Sequence, residues 1–201
     1  GQRSAADENG WKWDMLRSIN YYLQHSNKCK DEAGRKENDG VAYFMRAYFY
    51  YVKVRRYGDV PWYDQVLNSD QDELLTKARD DRGVVMDHVM DDLDHAIEML
   101  PSTKSLYNVT KWTALALKTR AALYEGTYRK YRNMPDADKY LKQVADAGED
   151  FIQNSGYKLY TAGDTPYRSL FNSLDACSDE VILARRYSAD ANVMHGVPFA
   201  I

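Results

Sequence analysis

From Trp11 to about Gln24 apolar residues recur three and four apart (Trp11, Met15, Ile19, Tyr22, Leu23) between polar ones, which predicts a first amphipathic helix. The next stretch, HSNKCKDEAGRKENDG, is dense in Asn, Asp, Gly and charge and reads as a loop. A second helix is predicted over about Val41 to Tyr57. At 100° per residue, Met45, Phe49 and Val52 share one face, Phe44, Tyr48 and Tyr51 a second, and Tyr43, Tyr50 and Tyr57 a third. A helix that is apolar around most of its circumference has to be covered from more than one side. Arg46 and Lys53 form its one narrow charged stripe, predicted to be its wet edge. Gly58 supplies a left-handed helix stop, and Pro61 blocks continuation.

After a long connection from Val60 to about Arg79, Asp80 or Asp81 is positioned to cap a third helix running to Leu100. Its apolar set is Val85, Met86, Val89, Leu93, Ala96, Ile97 and Leu100, and Pro101 closes it. Thr110 is read as the cap of a fourth helix over about Lys111 to Tyr131, and a fifth follows from about Asp136 to Asn154. The predicted class is mainly all-α: tetratricopeptide-like helical hairpins forming a right-handed superhelical scaffold. Residues 1–155 form its helical core. Residues 156–201 are loop-rich, with a short buried strand or extended segment near 180–185.

Composition narrows the function. With 27 basic and 30 acidic residues among 201 and a net charge of -3, the chain has no polycationic surface for nucleic acid. No apolar run approaches the ~20 residues that span a bilayer. The opening GQRSAADENG is polar and lacks an initiator Met, so the chain is read as a processed or trimmed product, and at Ile201 it stops in mid-pattern. Cys29 and Cys177 lie far apart without a CxxC, which favours two free thiols over a disulfide. The 17 tyrosines suit packed surfaces that also meet water or a ligand.

Candidate chemistry is sparse. His88, Asp91 and His95 share one face of the third helix at a spacing that metal ligands use, but that face lies opposite Val85, Val89, Leu93 and Ala96 and is read as solvated. Asp80-Asp81 and Asp91-Asp92 are read as cap and surface residues. Asn108-Val109-Thr110 matches a glycosylation sequon, though a capping role for Thr110 explains it more simply. There is no GxSxG, HExxH or phosphate-binding glycine loop, and no catalytic, cofactor or metal residue is assigned. Arg46, Arg55, Arg56 and Arg120 are expected to lay their stems over aromatic surface and pair with acids between helices, with contact to a partner protein as the alternative. For Trp13, Trp62 and Tyr63, ordinary packing is favoured over sugar stacking.

Three motifs stand in order: FMRAYFYYVKVRRYGDVP (Phe44 to Pro61), DLDHAIEMLP (Asp92 to Pro101) and TKWTALALKTRAALY (Thr110 to Tyr124), with a weaker match from Tyr157 through Phe171 to Ile182. Together they resemble the SusD/RagB family of outer-membrane nutrient-binding lipoproteins. Tyr107 and Asn108 replace the Gly-Arg pair usual before the TK motif, and neither Cys29 nor Cys177 stands where a lipid-anchoring cysteine would. The resemblance implies a non-enzymatic, cofactor-free protein on the cell surface of a Gram-negative bacterium. Its membrane contact would run through an N-terminal lipid anchor absent from this chain. It also implies capture of an oligosaccharide, or in some members a peptide, and delivery to a SusC-like TonB-dependent transporter. Family members are longer, so the chain is read as the N-terminal helical portion of one. By position, ligand contacts are expected from Asn9, Trp11 and Trp13 at one end and Tyr187, Asn192 and His195 at the other. The rival classes are a helical-repeat scaffold for protein-protein interaction, which predicts no aromatic platform at one end, and a helical metalloenzyme, which predicts stoichiometric bound metal.

Overall fold

The computed structural model describes residues 10–173, 175–188 and 193. Among them the chain forms seven α-helices and no named strand: α1 (Asp14–His25), α2 (Glu32–Tyr57), the short α3 (Asp72–Leu75), α4 (Arg82–Met99), α5 (Lys111–Tyr131), α6 (Ala137–Asn154) and α7 (Pro166–Asn172). The long helices pack serially, α1 on α2, α2 on α4, α4 on α5 and α5 on α6. This is the logic of a helical-hairpin array, in which each unit buries its apolar face against its neighbours. No described helix is long and apolar enough to cross a membrane.

The helix ends follow local chemistry. Asp81 caps α4 by accepting from the Gly83 N–H, and Thr110 forms a capping box with Thr113 at the start of α5. The apolar set predicted for α4 is buried apart from the half-buried Ile97. Gly58 ends α2 at φ 72°, ψ -115°, a positive-φ region outside the expected left-handed helical one and open in practice to glycine; its N–H donates to the Val54 carbonyl.

Four expectations change. The polar stretch after α1 is a loop only to Asp31, whose side chain accepts from the Gly34 N–H and starts α2 nine residues early. This added segment is exposed over most of its length, so it has no apolar period to reveal it. Gly40, read as loop punctuation, lies inside the helix against α4, where an added Cβ would come within 2.9 Å of Leu100 Cγ. Helix α7 has no counterpart in the sequence reading. The segment near 180–185 forms no strand; Ala184 N–H donates to the Leu106 carbonyl, and an isolated bridge joins Ser188 to Val193.

The fourth change concerns the charged stripe of α2, which is not wet. Arg46 is 8% exposed and Lys53 4%, while Tyr48 (47%) and Val52 (41%) face solvent. Arg46 donates from Nε and Nη2 to both oxygens of Asp92, each at 2.7 Å, so Asp92 is no surface acid. Its guanidinium also lies 5.3–5.4 Å from the ring centroids of Tyr43 and Trp62. Residues 174, 189–192 and 194–201, and the first nine, lie outside the described part.

Candidate functional site

The site begins with Lys53. One helical turn after Phe49 and one before Tyr57, its ammonium is donated to the backbone carbonyls of Gly10 and Lys12, which draws residues 10–13 across the end of α2. Trp11 and Trp13 then meet edge to face, with centroids 5.2 Å apart. Trp11 abuts Tyr57 at 4.9 Å, and Trp13 abuts Phe49, Tyr50 and Tyr63. The Lys53 Nζ sits 4.9–5.8 Å from the centroids of Trp11, Trp13, Phe49 and Tyr57, a cation in an aromatic cage. Burial pushes its pKa down. Trp11 therefore precedes the first helix; the sequence period had placed it inside.

The opposite wall is the connection from Val60 to Asp80, whose ends are joined by an antiparallel bridge. Tyr50 on α2 pins it from below: its buried hydroxyl accepts from the Tyr63 N–H at 2.6 Å and lies 3.3 Å from the carbonyls of Pro61 and Tyr63. Burial raises the Tyr50 pKa well above its ordinary value, so it remains a neutral donor. From α1, Asn20 Nδ2 donates to the carbonyls of Tyr63 and Gln65, and Arg17 donates to that of Leu67. Asp80 accepts from the Trp62 N–H and from Lys77; these bonds hold its carboxyl below the ordinary range although burial pushes the other way. Tyr50→Phe should cost about 1–3 kcal/mol, because the Tyr63 N–H loses its acceptor in a part-buried position. Urea unfolding reads this, and faster amide exchange at Tyr63 would accompany it; a midpoint equal to wild type would contradict the pinning role.

Between the two walls lies a cleft of about 510 Å³, within the size range of small-molecule sites. Trp11, Trp13 and Tyr63 supply its aromatic surface, and Arg17, Lys77 and Arg79 its cations. Arg79 stands 5.3 Å from the Trp11 centroid and Lys77 5.0 Å from that of Tyr63. The arrangement suits noncovalent capture of a ligand that offers apolar faces to rings and polar groups to N–H donors.

Of the sequence-predicted contacts, Trp11 and Trp13 come together here. Tyr187 does not line the cleft; it is 44% exposed, with the Arg185 guanidinium 5.2 Å from its ring. Asn9, Asn192 and His195 lie outside the described residues. Sequence reasoning missed Arg17, Lys77 and Arg79, which sit on an amphipathic helix and an irregular loop with no motif to mark them. Tyr63 was read as packing, and it both packs and lines the cleft. Arg55 lies over Tyr51 and Tyr124 as expected of it. The solvated face proposed for α4 is partly stacked: His88 lies flat on Trp62 (4.5 Å, 13°) and His95 on Tyr43 (4.9 Å, 21°). No cluster of three or more His, Cys, Asp or Glu able to hold a metal occurs among the described residues, and both cysteines are free.

A serial helical-hairpin scaffold carrying an aromatic cleft at one end defines an all-α fold of tetratricopeptide-like build. Residues 8–123 match the SusD-like family described as starch-binding associating with outer membrane, and the chain belongs to that family. It is 36% identical over 90 residues to SusD-like protein P2 of Formosa agariphila, an alignment covering 44% of this chain and 18% of that protein. A crystal structure of a SusD-like protein from Bacteroides fragilis superposes with a TM-score of 0.68 at 26% identity, covering 83% of this chain and 31% of the other. A laminarin-binding SusD-like protein shares the fold with a TM-score of 0.71 at 20% identity, covering 88% and 37%. The matches thus span 18% to 37% of the length of these relatives.

Proposed function

We propose that this chain is the helical scaffold of a cell-surface, lipid-anchored glycan-binding protein that passes oligosaccharide to a SusC-like TonB-dependent transporter and catalyses no reaction. The observation that carries this reading is the family match over residues 8–123, since that family is described by starch binding at the outer membrane. The cleft adds a physical means: indole and phenol rings match the apolar faces of pyranoses, and the cations beside them can bond hydroxyl or acidic groups. Trp11 and Trp13 are the contacts we assign within it. A further relative with the fold was solved with xylogluco-oligosaccharide.

Calorimetric titration of the full-length protein with a panel of oligosaccharides and a panel of peptides tests this. At least one saccharide should bind while peptides do not. Peptide binding without any saccharide binding would overturn the carbohydrate reading. Co-purification of a TonB-dependent transporter with the tagged protein from outer membranes tests the delivery step, and its repeated absence under mild detergent would count against it.

A further inference from the structure

The chain as a whole carries more acid than base, 30 against 27, yet the cleft reverses this balance. Its lining holds Arg17, Lys77 and Arg79 against the single acid Asp14. Lys77 is paired with Asp80. Among the described residues Arg17 and Arg79 form no ion pair: Arg17 donates one N–H to the Leu67 carbonyl, and Arg79 lies over Trp11. A guanidinium has five N–H donors in a planar fork that matches carboxylate and sulfate oxygens.

Two further features point the same way. Lys53, immediately behind the tryptophan wall, is a buried cation whose partners among the described residues are two carbonyls and four aromatic rings, with no carboxylate. Its lowered pKa reflects the cost of that charge, which an anion in the cleft would offset. One of the two amides in the lining is already committed: Asn20, 1% exposed, donates from Nδ2 to the carbonyls of Tyr63 and Gln65 and accepts at Oδ1 from Arg46.

We propose that this cleft selects an acidic oligosaccharide, one bearing carboxylate or sulfate groups, and that Arg17 and Arg79 determine that choice. The inference rests on the glycan-binding reading and names its substrate class. It is tested by titrating the full-length protein with three oligosaccharides of similar length, a neutral glucan, a uronate chain and a sulfated galactan, at low and high salt. The uronate or the sulfated chain should bind on the order of tenfold or more above the glucan and weaken as salt rises. Arg79→Gln and Arg17→Gln, both at exposed positions, should each lower that affinity severalfold while circular dichroism stays unchanged. Equal or tighter binding of the neutral glucan, or acidic-chain affinity indifferent to salt and to both substitutions, would overturn the inference and leave glycan binding intact. Binding of no saccharide in any arm would overturn both.

Discussion

Arg46→Met should lower folding stability by about 3–5 kcal/mol, the cost of leaving one partner of a buried ion pair uncompensated. The stranded group would be Asp92, which is buried on α4 and receives both of its charge-assisted bonds from Arg46. Burial already pushes the Asp92 carboxyl above its ordinary range, with the guanidinium pulling it back down, so the pair is costly to bury and adds little net stability. What it does is fix the register of α2 on α4 and hold Asn20 through a 3.3 Å bond. The double replacement Arg46→Met with Asp92→Leu should therefore recover most of the loss. Chemical denaturation of both variants decides this. A single variant within 1 kcal/mol of wild type would show that Asp92 finds water or another donor and that the pair is dispensable.

Glu125→Leu should be comparably severe, again about 3–5 kcal/mol, because it strips Arg82 of its carboxylate partner and leaves Arg129 only a 4.0 Å contact with Asp136. Glu125, fully buried on α5, accepts from Arg82 Nη2 at 2.5 Å and from Arg129 Nε at 2.8 Å, tying the start of α4 to the end of α5. The Arg82 guanidinium carbon also lies 3.3 Å from the centroid of the Tyr128 ring, and Arg129 bonds the Pro135 carbonyl in the turn before α6. Glu125→Gln keeps one acceptor and the shape, and should cost less than the leucine variant. If leucine and glutamine variants unfolded at the same denaturant concentration, shape and not charge pairing would hold this junction.

Much of the scaffold is legible because its determinants are local. Asp81, Thr110, Gly58 and Pro101 mark helix ends through their own backbone chemistry, and α4 declares itself by a stripe of Val85, Met86, Val89, Leu93 and Ala96 that is buried as read. The first turns of α2 were hidden because a solvated helix segment has no apolar period; only the Asp31 cap signals it. The candidate site was half legible. Trp11 and Trp13 were chosen by position, but the cations opposite them come from α1 and from an irregular loop whose path is set by hydrogen bonds to Tyr50 and Asn20.

Arg46 and Lys53 show where the boundary falls. The sequence by itself determined that α2 is ringed with apolar and aromatic residues, so that it has to be buried between neighbours, and it carried the ordered motifs of the SusD-like family. Only the tertiary structure decided which edge of that helix meets water. A helical projection treats charge as solvated by default, whereas a folded chain can bring Asp92 from α4 and the carbonyls of residues 10 and 12 to a cation's side. The desolvation cost is then met by partners from 41 to 46 residues away in sequence, and no local pattern records them.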